Sequence, residues 1–411
     1  MAMPDKKFKI MSVVGIRPAL IRMHKLLRLL DEHQKAKNYE HVFVHTGQHF
    51  DHELDGIFYE QMGIRQPDYN LGVGKTLKQQ GGPQSFEYQM SILFPEIAKL
   101  LEKERPDLVV YLGDTNSELS AIVVSRHSVP IAHIEAGGRS YDWRMPEEKN
   151  RTVIDHLADI CYSYVPRYRE ILLQEGLPEF RIKVIGNIIY DAVESFLPLA
   201  EKSPVLEENS LTSGSYILVT LHREENINEK TGLEEKLNDL IKLAKEHTVV
   251  WPIMPRVKAT LEKFGLWDAL KNSGIKLIKP QGYLEFLKLQ KHAKVIISDS
   301  GSVQEEALIL GVPCVVARAS TERPETLIAG AGILANTNLY QNTLKALALP
   351  KSWDKYALNP TRQSPSVIIF EDLMDKIQSG FFKDSRSYDW LKSSRFVREA
   401  YGNFDSDNKK D

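Results

Sequence analysis

The chain contains 411 residues, of which 42% are hydrophobic and 26% charged, and its formal net charge at pH 7 is -2. This balance is ordinary for a water-soluble globular protein and argues against a nucleic-acid partner and against a membrane partner. Because a single hydrophobic core rarely supports a chain of this length, we expect two domains.

The chain has two cysteines, Cys161 and Cys314, and their spacing suits neither a metal site nor a disulfide framework. We therefore expect two buried thiols in a reducing compartment. The apolar run at residues 10–14 is too short for a signal-peptide core, and the run at 307–317 is broken by Gly and Pro and too short to cross a membrane. These features favour a cytoplasmic protein.

Strands and helices alternate through the first half of the chain. A β-rich run ends at Gly15, and Leu20, Met23, Leu27 and Leu30 follow it at helical spacing. Alternation of this kind predicts a parallel sheet with helices on both faces. The predicted strands are residues 9–14, 42–45, 108–112 and 130–134, and helices are expected to begin at Asn116 and Pro146.

A second series of strands follows residues 197–208, whose Pro, Ser, Glu and Lys content is typical of a linker. These strands are predicted at residues 217–221, 249–253, 275–278, 295–297 and 314–317. The predicted fold class is α/β, with two doubly wound Rossmann-like domains facing a cleft. We expect an N-terminal domain over residues 1–196, a C-terminal domain over 197–367, and a helical segment with a polar tail over 368–411 that returns to the N-terminal domain.

Polar turns follow five of the predicted strands. In open α/β sheets, ligands bind beyond the carboxyl ends of the strands. A single polar turn would be an ordinary loop, whereas five turns from both halves of the chain indicate a common binding site. These turns are residues 15–17, 113–114, 135–137, 222–223 and 299–302.

The turn after the strand at 295–297 has the composition of a phosphate-binding site. Ser300, Gly301 and Ser302 allow backbone N–H groups to approach an anion, and the next helix directs its positive dipole end there. Arg323 adds a cation further along the chain. The alternative is a helix cap, because Ser302 and Glu305 have capping-box spacing.

Together these motifs resemble the non-hydrolysing UDP-N-acetylglucosamine 2-epimerases, in the family's order and over residues 8–335. The resemblance implies a GT-B-like fold shared with nucleotide-sugar glycosyltransferases, a homodimer, a UDP-sugar substrate and an isomerase role in surface polysaccharide biosynthesis. The matching motifs are Gly-Ile-Arg-Pro at 15–18, Thr-Gly-Gln-His at 46–49, Gly-Asp-Thr at 113–115, Glu-Ala-Gly at 135–137, Pro-Glu-Glu at 146–148 with Asn150 and Arg151, His-Arg-Glu-Glu-Asn at 222–226, residues 299–306, and Thr-Glu-Arg-Pro-Glu at 321–325.

The chain departs from the family's usual pattern at several positions. Ala19 replaces a usual Glu, Arg22 a usual Lys, and Met254 a common His. The short connection between residues 137 and 146 resembles the branch that acts on 6-deoxy or uronic sugar nucleotides. UDP-6-deoxy-L-talosamine and a UDP-diacetamido uronate are therefore open alternatives to UDP-N-acetylglucosamine.

Inversion at C2 must break a C–H bond that is not adjacent to a carbonyl group. Oxidation at C3 by a nicotinamide is disfavoured, because the first strand lacks the Gly-x-Gly-x-x-Gly fingerprint. The resemblance implies instead that UDP leaves C1 and adds back through a 2-acetamidoglucal, with no cofactor and no metal. By match to the family, the resemblance implies four catalytic residues: Asp114, Glu135, Glu147 and His222. It also implies that the diphosphate is bound by Arg17, Arg22, Ser300, Gly301, Ser302 and Arg323. Phe286 would contact the uracil, and Glu306 would bind the ribose.

The sequence is also compatible with other functions and with purely structural roles for these residues. A GT-B glycosyltransferase would use the same phosphate site and Glu306, and a non-catalytic UDP-sugar-binding paralogue is suggested by Ala19 and Met254. The structural alternatives are Asp114 as the cap of a helix from Asn116, Glu135 as the partner of Arg139, Glu147 as a first-turn residue favoured by the dipole, His222 and Phe286 as core residues, and Glu306 on a solvated helix face.

Overall fold

The computed structural model describes residues 6–48, 59–60, 62–79, 85–350 and 352–384. The chain divides into two compact units, one formed by Met1–Ile188 with Gln363–Asp411 and the other by Ile189–Arg362. The expected polar tail after residue 384, and His49 of the 46–49 motif, lie outside the described residues.

The first unit contains a seven-stranded parallel sheet. Its strands are β1 (Phe8–Val14), β2 (Tyr39–His45), β3 (Tyr69–Asn70), β4 (Leu108–Leu112), β5 (Ile131–Ile134), β6 (Ile160–Ser163) and β7 (Ile182–Val184). Their order in the sheet is β3-β2-β1-β4-β5-β6-β7, and every pairing is parallel. The helices are α1 (Arg17–Glu32), α2 (Gln34–Lys37), α3 (Val73–Gln79), α4 (Phe86–Glu104), α5 (Ala121–Arg126), α6 (Pro146–Leu157) and α7 (Pro166–Gln174).

Hydrophobic periodicity explains these elements. All five residues of β4 are apolar and buried, as expected of a strand that is covered on both faces of its sheet. In α1, the four residues that predicted the helix, Leu20, Met23, Leu27 and Leu30, are buried. The helix expected at Asn116 begins later, because the 3-10 turn Glu118–Ser120 precedes α5.

The second unit contains a six-stranded parallel sheet. Its strands are β8 (Tyr216–Thr220), β9 (Thr248–Pro252), β10 (Lys276–Ile278), β11 (Val295–Ser298), β12 (Cys314–Val316) and β13 (Gly332–Leu334), in the order β10-β9-β8-β11-β12-β13. The helices are α8 (Ile189–Ala200), α9 (Val205–Glu208), α10 (Glu224–Ile227), α11 (Lys230–Ala244), α12 (Pro255–Lys263), α13 (Trp267–Lys271), α14 (Tyr283–Lys291), α15 (Gly301–Leu310), α16 (Pro324–Ile328) and α17 (Leu339–Leu347).

The chain passes from the first unit to the second between residues 188 and 189, earlier than the linker expected at 197–208. The reason is the apolar face of α8, on which Ala192, Val193 and Phe196 are buried. Phe196 packs edge-on against Tyr283 of α14, which keeps α8 in the second unit. The region 197–208 is therefore part of that unit and includes α9.

After the second unit, the chain contributes α18 (Pro365–Gln378) and α19 (Phe381–Asp384) to the first unit. Asp372 of α18 accepts hydrogen bonds from Tyr162 of β6 at 2.8 Å and from Lys183 at 2.7 Å. Both cysteines are buried free thiols, as expected. Within the described ranges, every helix is too short or too polar to span a bilayer.

Candidate active site

Four of the five predicted polar turns lie where the strand order of each sheet reverses. In the first unit, β1 lies between β2 and β4, and residues 15–17 and 113–114 follow β1 and β4. In the second unit, β8 lies between β9 and β11, followed by residues 222–223 and 299–302. Such switch points are the usual ligand sites of doubly wound sheets.

In the first unit, residues that follow β1, β2 and β4 meet at Gly15. A Cβ at Gly15 would collide with the side chain of Ser117, so only glycine permits this close approach. Gln48 Oε1 accepts hydrogen bonds from Ser117 Oγ at 2.7 Å and from Thr115 Oγ1 at 3.2 Å. The ends of β1, β2 and β4 are thereby joined, and Arg17 lies beside them as the first residue of α1.

Glu135 forms a buried ion pair with Arg22 of α1 and also accepts a hydrogen bond from Tyr164 at 3.2 Å. The alternative pairing with Arg139 is wrong, because Arg139 binds Asp155 and Glu175. Glu135 has φ = 78°, a conformation that costs a non-glycine residue about 1–3 kcal/mol. The surrounding structure therefore fixes this carboxylate at the end of β5 against local strain.

Asp114 follows the adjacent strand β4 and forms an ion pair with Arg151 of α6. Its backbone carbonyl accepts a hydrogen bond from Asn150 at 2.9 Å. The alternative that Asp114 caps a helix from Asn116 is wrong, because no helix begins there within the described residues. The Asp114 side chain remains 19% exposed, so a ligand has access to it.

Glu147 is in the first turn of α6, where the expected helix opens with Pro146. Its position four residues before Arg151 places both side chains on one helix face. Since Arg151 binds Asp114, Glu147 lies on the side of α6 that faces the ends of the strands. The helix-dipole interpretation of Glu147 is compatible with this placement.

A buried cluster that the sequence did not predict supports these turns. His133 Nε2 lies 2.8 Å from the Gly113 carbonyl, and His133 Nδ1 lies 2.7 Å from Asp155. Asp155 also accepts a hydrogen bond from the Gly137 N–H. Burial alone would raise the pKa of Asp155, but His133 and Arg139 lower it. Asp155 therefore ties the turns after β4 and β5 together as a buried carboxylate.

Asp299 is the centre of the site in the second unit. It is fully buried, and its Oδ2 accepts hydrogen bonds of 2.9 Å from the His222 N–H, the Arg223 N–H and Asn226 Nδ2. The His222 Nδ1 atom is 3.3 Å from Asp299 Oδ1, while the His222 side chain is 44% exposed. The interpretation of His222 as a core histidine is therefore wrong, and its ring is available to a ligand.

The predicted phosphate site begins a helix as expected. Ser300 is the N-cap of α15, and Gly301, Ser302 and Val303 form its first turn. The capping-box alternative is wrong, since Ser302 lies inside the helix and Glu305 is ion paired with Arg323. The Ser300 N–H binds Ser298 Oγ at 3.0 Å, so the donors for an anion are the next N–H groups of α15.

Ion pairs that the sequence did not predict lie around this helix start. Arg323 is buried against Glu305, so its placement does not by itself direct the guanidinium at a phosphate. Glu322 lies against Gly301, where an added Cβ would be 2.8 Å from its Oε1 atom. Glu322 in turn pairs with Arg318 at 2.6 Å and with Arg223 at 3.6 Å. Arg223 is thus a further cation near the phosphate site.

Glu306 and Phe286 belong to facing helices of the second unit. Glu306 of α15 is 4% exposed and accepts a hydrogen bond from Gln290 of α14 at 2.6 Å, so the solvated-face interpretation is wrong. Phe286 is one helical turn before Gln290 and is half-buried. Residues at this spacing share a helix face, which places Phe286 on the side of α14 that faces Glu306.

Glu118 is a buried carboxyl group that the sequence reasoning missed. It lies 1% exposed in the 3-10 turn after Asp114. Burial, with a further contribution from the negative charge of Asp114, raises the pKa of Glu118 to about 8, although a hydrogen bond from Thr115 opposes the shift. In the described ranges, no group of three or more His, Cys, Asp or Glu side chains is arranged to hold a metal ion.

Comparison with known proteins identifies the family. A family model described as UDP-N-acetylglucosamine 2-epimerase matches residues 31–362. The UDP-N-acetylglucosamine 2-epimerase of Methanocaldococcus jannaschii is 39% identical over 86% of this chain and 94% of its own length. The UDP-2,3-diacetamido-2,3-dideoxy-D-glucuronate 2-epimerase of Pseudomonas aeruginosa is 37% identical over 79% of this chain and 88% of its own length.

The solved structures agree with the fold described above. The Methanocaldococcus jannaschii UDP-GlcNAc 2-epimerase, crystallised with UDP-GlcNAc and UDP, is 36% identical, has a TM-score of 0.80 and covers 90% of this chain and 100% of its own. The predicted α/β class with two Rossmann-like sheets of the GT-B-like type is confirmed. This chain therefore belongs to the UDP-N-acetylglucosamine 2-epimerase family.

Proposed function

We propose that this chain is an isomerase that interconverts UDP-N-acetylglucosamine and UDP-N-acetylmannosamine. The observation that carries the proposal is the pair of carboxylates, Asp114 and Glu135, fixed at the ends of adjacent strands in a member of a family named for this reaction. A glycosyltransferase reaction does not exchange the C2 proton, so it would not account for both carboxylates. A binding protein without turnover would give neither carboxylate a role in proton transfer.

The proposed mechanism begins with elimination. The C2 hydrogen is not acidic in the intact sugar, so loss of UDP from C1 must accompany its removal. A base takes the C2 proton, the C1–O bond breaks and its electron pair leaves with UDP, and a 2-acetamidoglucal remains. UDP then adds back at C1 while an acid delivers a proton to the opposite face of C2. The atoms and charges balance without any redox step.

The second unit supplies most of the binding groups for UDP in this proposal, and Arg17 and Arg22 of the first unit add two candidate cations. The first N–H groups of α15 face the diphosphate, and Arg223, Arg17, Arg22 and Arg323 are the candidate cations. Glu306, oriented by Gln290, accepts hydrogen bonds from the ribose hydroxyl groups. Phe286 packs on the uracil.

The first unit supplies the proton-transfer groups in this proposal. Asp114, Glu135 and Glu147 serve the two faces of C2, and Arg151 and Arg22 hold the first two in place. His222 is an additional acid, base or diphosphate contact, because Asp299 orients its ring while leaving the ring exposed. Fixed carboxylates of this kind contribute about 10²–10⁴-fold each to proton-transfer steps.

Solvent exchange at C2 tests the function. The purified protein is incubated with UDP-N-acetylglucosamine in deuterium oxide, and proton NMR follows the C2 signal and the appearance of UDP-N-acetylmannosamine. We expect deuterium at C2 of both epimers and no accumulation of free sugar. Free N-acetylmannosamine with UDP would indicate a hydrolysing enzyme, and the absence of both exchange and epimer would reject this substrate.

A second substrate is favoured by the relative from Pseudomonas aeruginosa, which is named for a diacetamido uronate. The same experiment with a UDP-diacetamido uronate and with UDP-6-deoxy-L-talosamine distinguishes the candidates by kcat/KM. A preference for the uronate of about 100-fold or more would assign the chain to that reaction.

Assembly and cellular role follow from the family resemblance and are also proposals. We propose a cytoplasmic homodimer that supplies an amino-sugar nucleotide for surface polysaccharide synthesis. Light scattering coupled to size-exclusion chromatography tests the dimer, for which a mass of twice 46.9 kDa is expected. A single species at the monomer mass would contradict it.

A further inference from the structure

Glu118 differs from the other buried carboxylates of the first unit because it has no cation. Glu135 is paired with Arg22, Glu148 with Arg151, and Asp155 with Arg139. Among the described residues, Glu118 makes no ion pair, and its Oε1 atom is buried without a hydrogen-bond partner. An ionised carboxylate in such a position loses its hydration, and this cost outweighs the hydrogen bonds that Thr115 and the backbone provide, which favours the neutral acid.

The hydrogen bonds around Thr115 support the same protonation state. Its Oγ1 atom lies within hydrogen-bond distance of both Glu118 Oε2 and Gln48 Oε1. A hydroxyl group has one hydrogen and can donate to only one of these acceptors. If Glu118 is protonated, it donates to Thr115 Oγ1, and Thr115 donates to Gln48. The two contacts of Thr115 Oγ1 then each have one donor and one acceptor, so no two acceptors face each other.

The charged and titratable surroundings of Glu118 come from several elements. Asp114 at the end of β4 is the charge that acts on it, and Arg151 of α6 is paired with that Asp114. Tyr111 of β4 interacts electrostatically with Glu118, while its hydroxyl binds Ser120. Three uncharged residues of α4, Gln89, Met90 and Leu93, line a small cavity together with Asn116 and Ser117 of this turn. The buried residues of α5, Ala121 and Val124, are also uncharged.

We propose that Glu118 is a positioning residue that works as a neutral carboxylic acid, donates its proton to Thr115, and so holds the turn that carries Asp114. The turn is then joined to Gln48 and through it to Ser117 and Gly15. Asp114 remains the single negative charge of the turn, and Arg151 pairs both with it and with Glu148 of α6.

Ionisation of Glu118 disrupts this arrangement in two ways. The Thr115 hydroxyl must turn to the new carboxylate, which removes its hydrogen bond to Gln48. A second negative charge also arises beside the pair formed by Asp114 and Arg151. The effect on activity rests on the epimerase function proposed above, whereas the protonation state of Glu118 does not.

The activity test is the pH dependence of kcat/KM for epimerisation in the wild type, Glu118→Gln and the control Glu102→Gln. Glutamine cannot ionise, and Glu102 is an exposed glutamate of α4. Between about pH 7 and about pH 9, we expect kcat/KM of the wild type and Glu102→Gln to fall about tenfold. Over the same pH range, kcat/KM of Glu118→Gln should fall less than about twofold. Parallel losses in all three proteins would overturn the proposal.

Infrared difference spectroscopy tests the protonation state without any turnover. The wild type should show the carbonyl band of a protonated carboxyl group at neutral pH, and this band should disappear as the pH is raised to about 10. The band should be missing in Glu118→Gln and present in Glu102→Gln. A neutral-pH spectrum that is unchanged by Glu118→Gln would overturn the proposal even if the protein shows no epimerase activity. If the carbonyl band behaves as expected but the protein has no epimerase activity, the result contradicts the proposed function and leaves the protonation state of Glu118 supported.

Discussion

Arg22 of α1 and Glu135 at the end of β5 form a buried ion pair. The side chain of Glu135 is 2% exposed and that of Arg22 is 10% exposed, so water screens the pair weakly. The pair joins the helix that follows β1 to the turn that follows β5. One interaction therefore positions a predicted substrate-binding residue and a predicted catalytic residue together.

Arg22→Ala should destabilise the protein, because it leaves the Glu135 carboxylate buried without its cation. The expected loss in the free energy of unfolding is about 3 kcal/mol, measured by denaturant titration. Arg22→Lys keeps the charge but not the planar guanidinium, and should recover only part of the loss. An unfolding midpoint for Arg22→Ala equal to that of the wild type would show that the pair does not stabilise Glu135.

The carboxylates of the first unit should matter for turnover more than for UDP binding. Asp114→Asn, Glu135→Gln and Glu147→Gln should each lower kcat by about 10²–10⁴-fold. The Kd for UDP, measured by calorimetry, should change less than about threefold, since none of these three carboxylates contacts UDP in the proposed function. Glu102→Gln serves as the matched exposed control. A variant whose kcat is close to that of the wild type would show that the substituted residue is not catalytic.

The fold was predictable from the sequence because long apolar strands alternate with helices in both halves. The strands that the sequence did not predict, β3, β6, β7 and β13, have two to four residues each. Length alone does not explain the omission, because the predicted strands β10 and β12 also have three residues each. The passage between the units was predicted too late, because the polar composition of 197–208 concealed the buried face of α8.

The positions of the candidate residues at strand ends were predictable, whereas the contacts among these residues were not. Strand ends and polar turns placed Asp114, Glu135, His222 and Ser300 correctly relative to the sheets. Partners that are distant in sequence, such as Arg22 for Glu135, give no local pattern. The burial of Glu118 also has no local sequence pattern, since a glutamate in a short turn is ordinarily exposed.

Glu306→Gln should weaken UDP binding, because a neutral amide is a poorer acceptor for ribose hydroxyl groups than a carboxylate. We expect the Kd for UDP to rise about tenfold by calorimetry. Glu234→Gln, on the exposed face of α11, is the control for the loss of one charge. With 2′,3′-dideoxy-UDP, the wild type and Glu306→Gln should bind equally. Equal affinities for UDP itself would exclude the ribose contact.

Stability should depend on pH through Glu118. Its pKa is about 8 in the folded protein against an ordinary value of 4.5, so the folded state binds more protons than the unfolded state between these values. The stability of the wild type therefore falls as the pH rises through this window. Glu118→Gln lacks this loss, so its Tm relative to the wild type should increase from about pH 5 to about pH 8 and then level off. A constant difference in Tm would show that Glu118 ionises normally.

The most direct test of the central claim, that proton transfer at C2 accompanies cleavage of the bond to UDP, is positional isotope exchange. UDP-N-acetylglucosamine is prepared with oxygen-18 between C1 and the β-phosphorus, and NMR follows the label among the phosphate oxygens. We predict that the label migrates to the non-bridging positions at least as fast as the sugar epimerises, and that Glu135→Gln slows both processes about 10²-fold or more. Epimerisation of the substrate with the label retained in its original position would contradict the elimination mechanism.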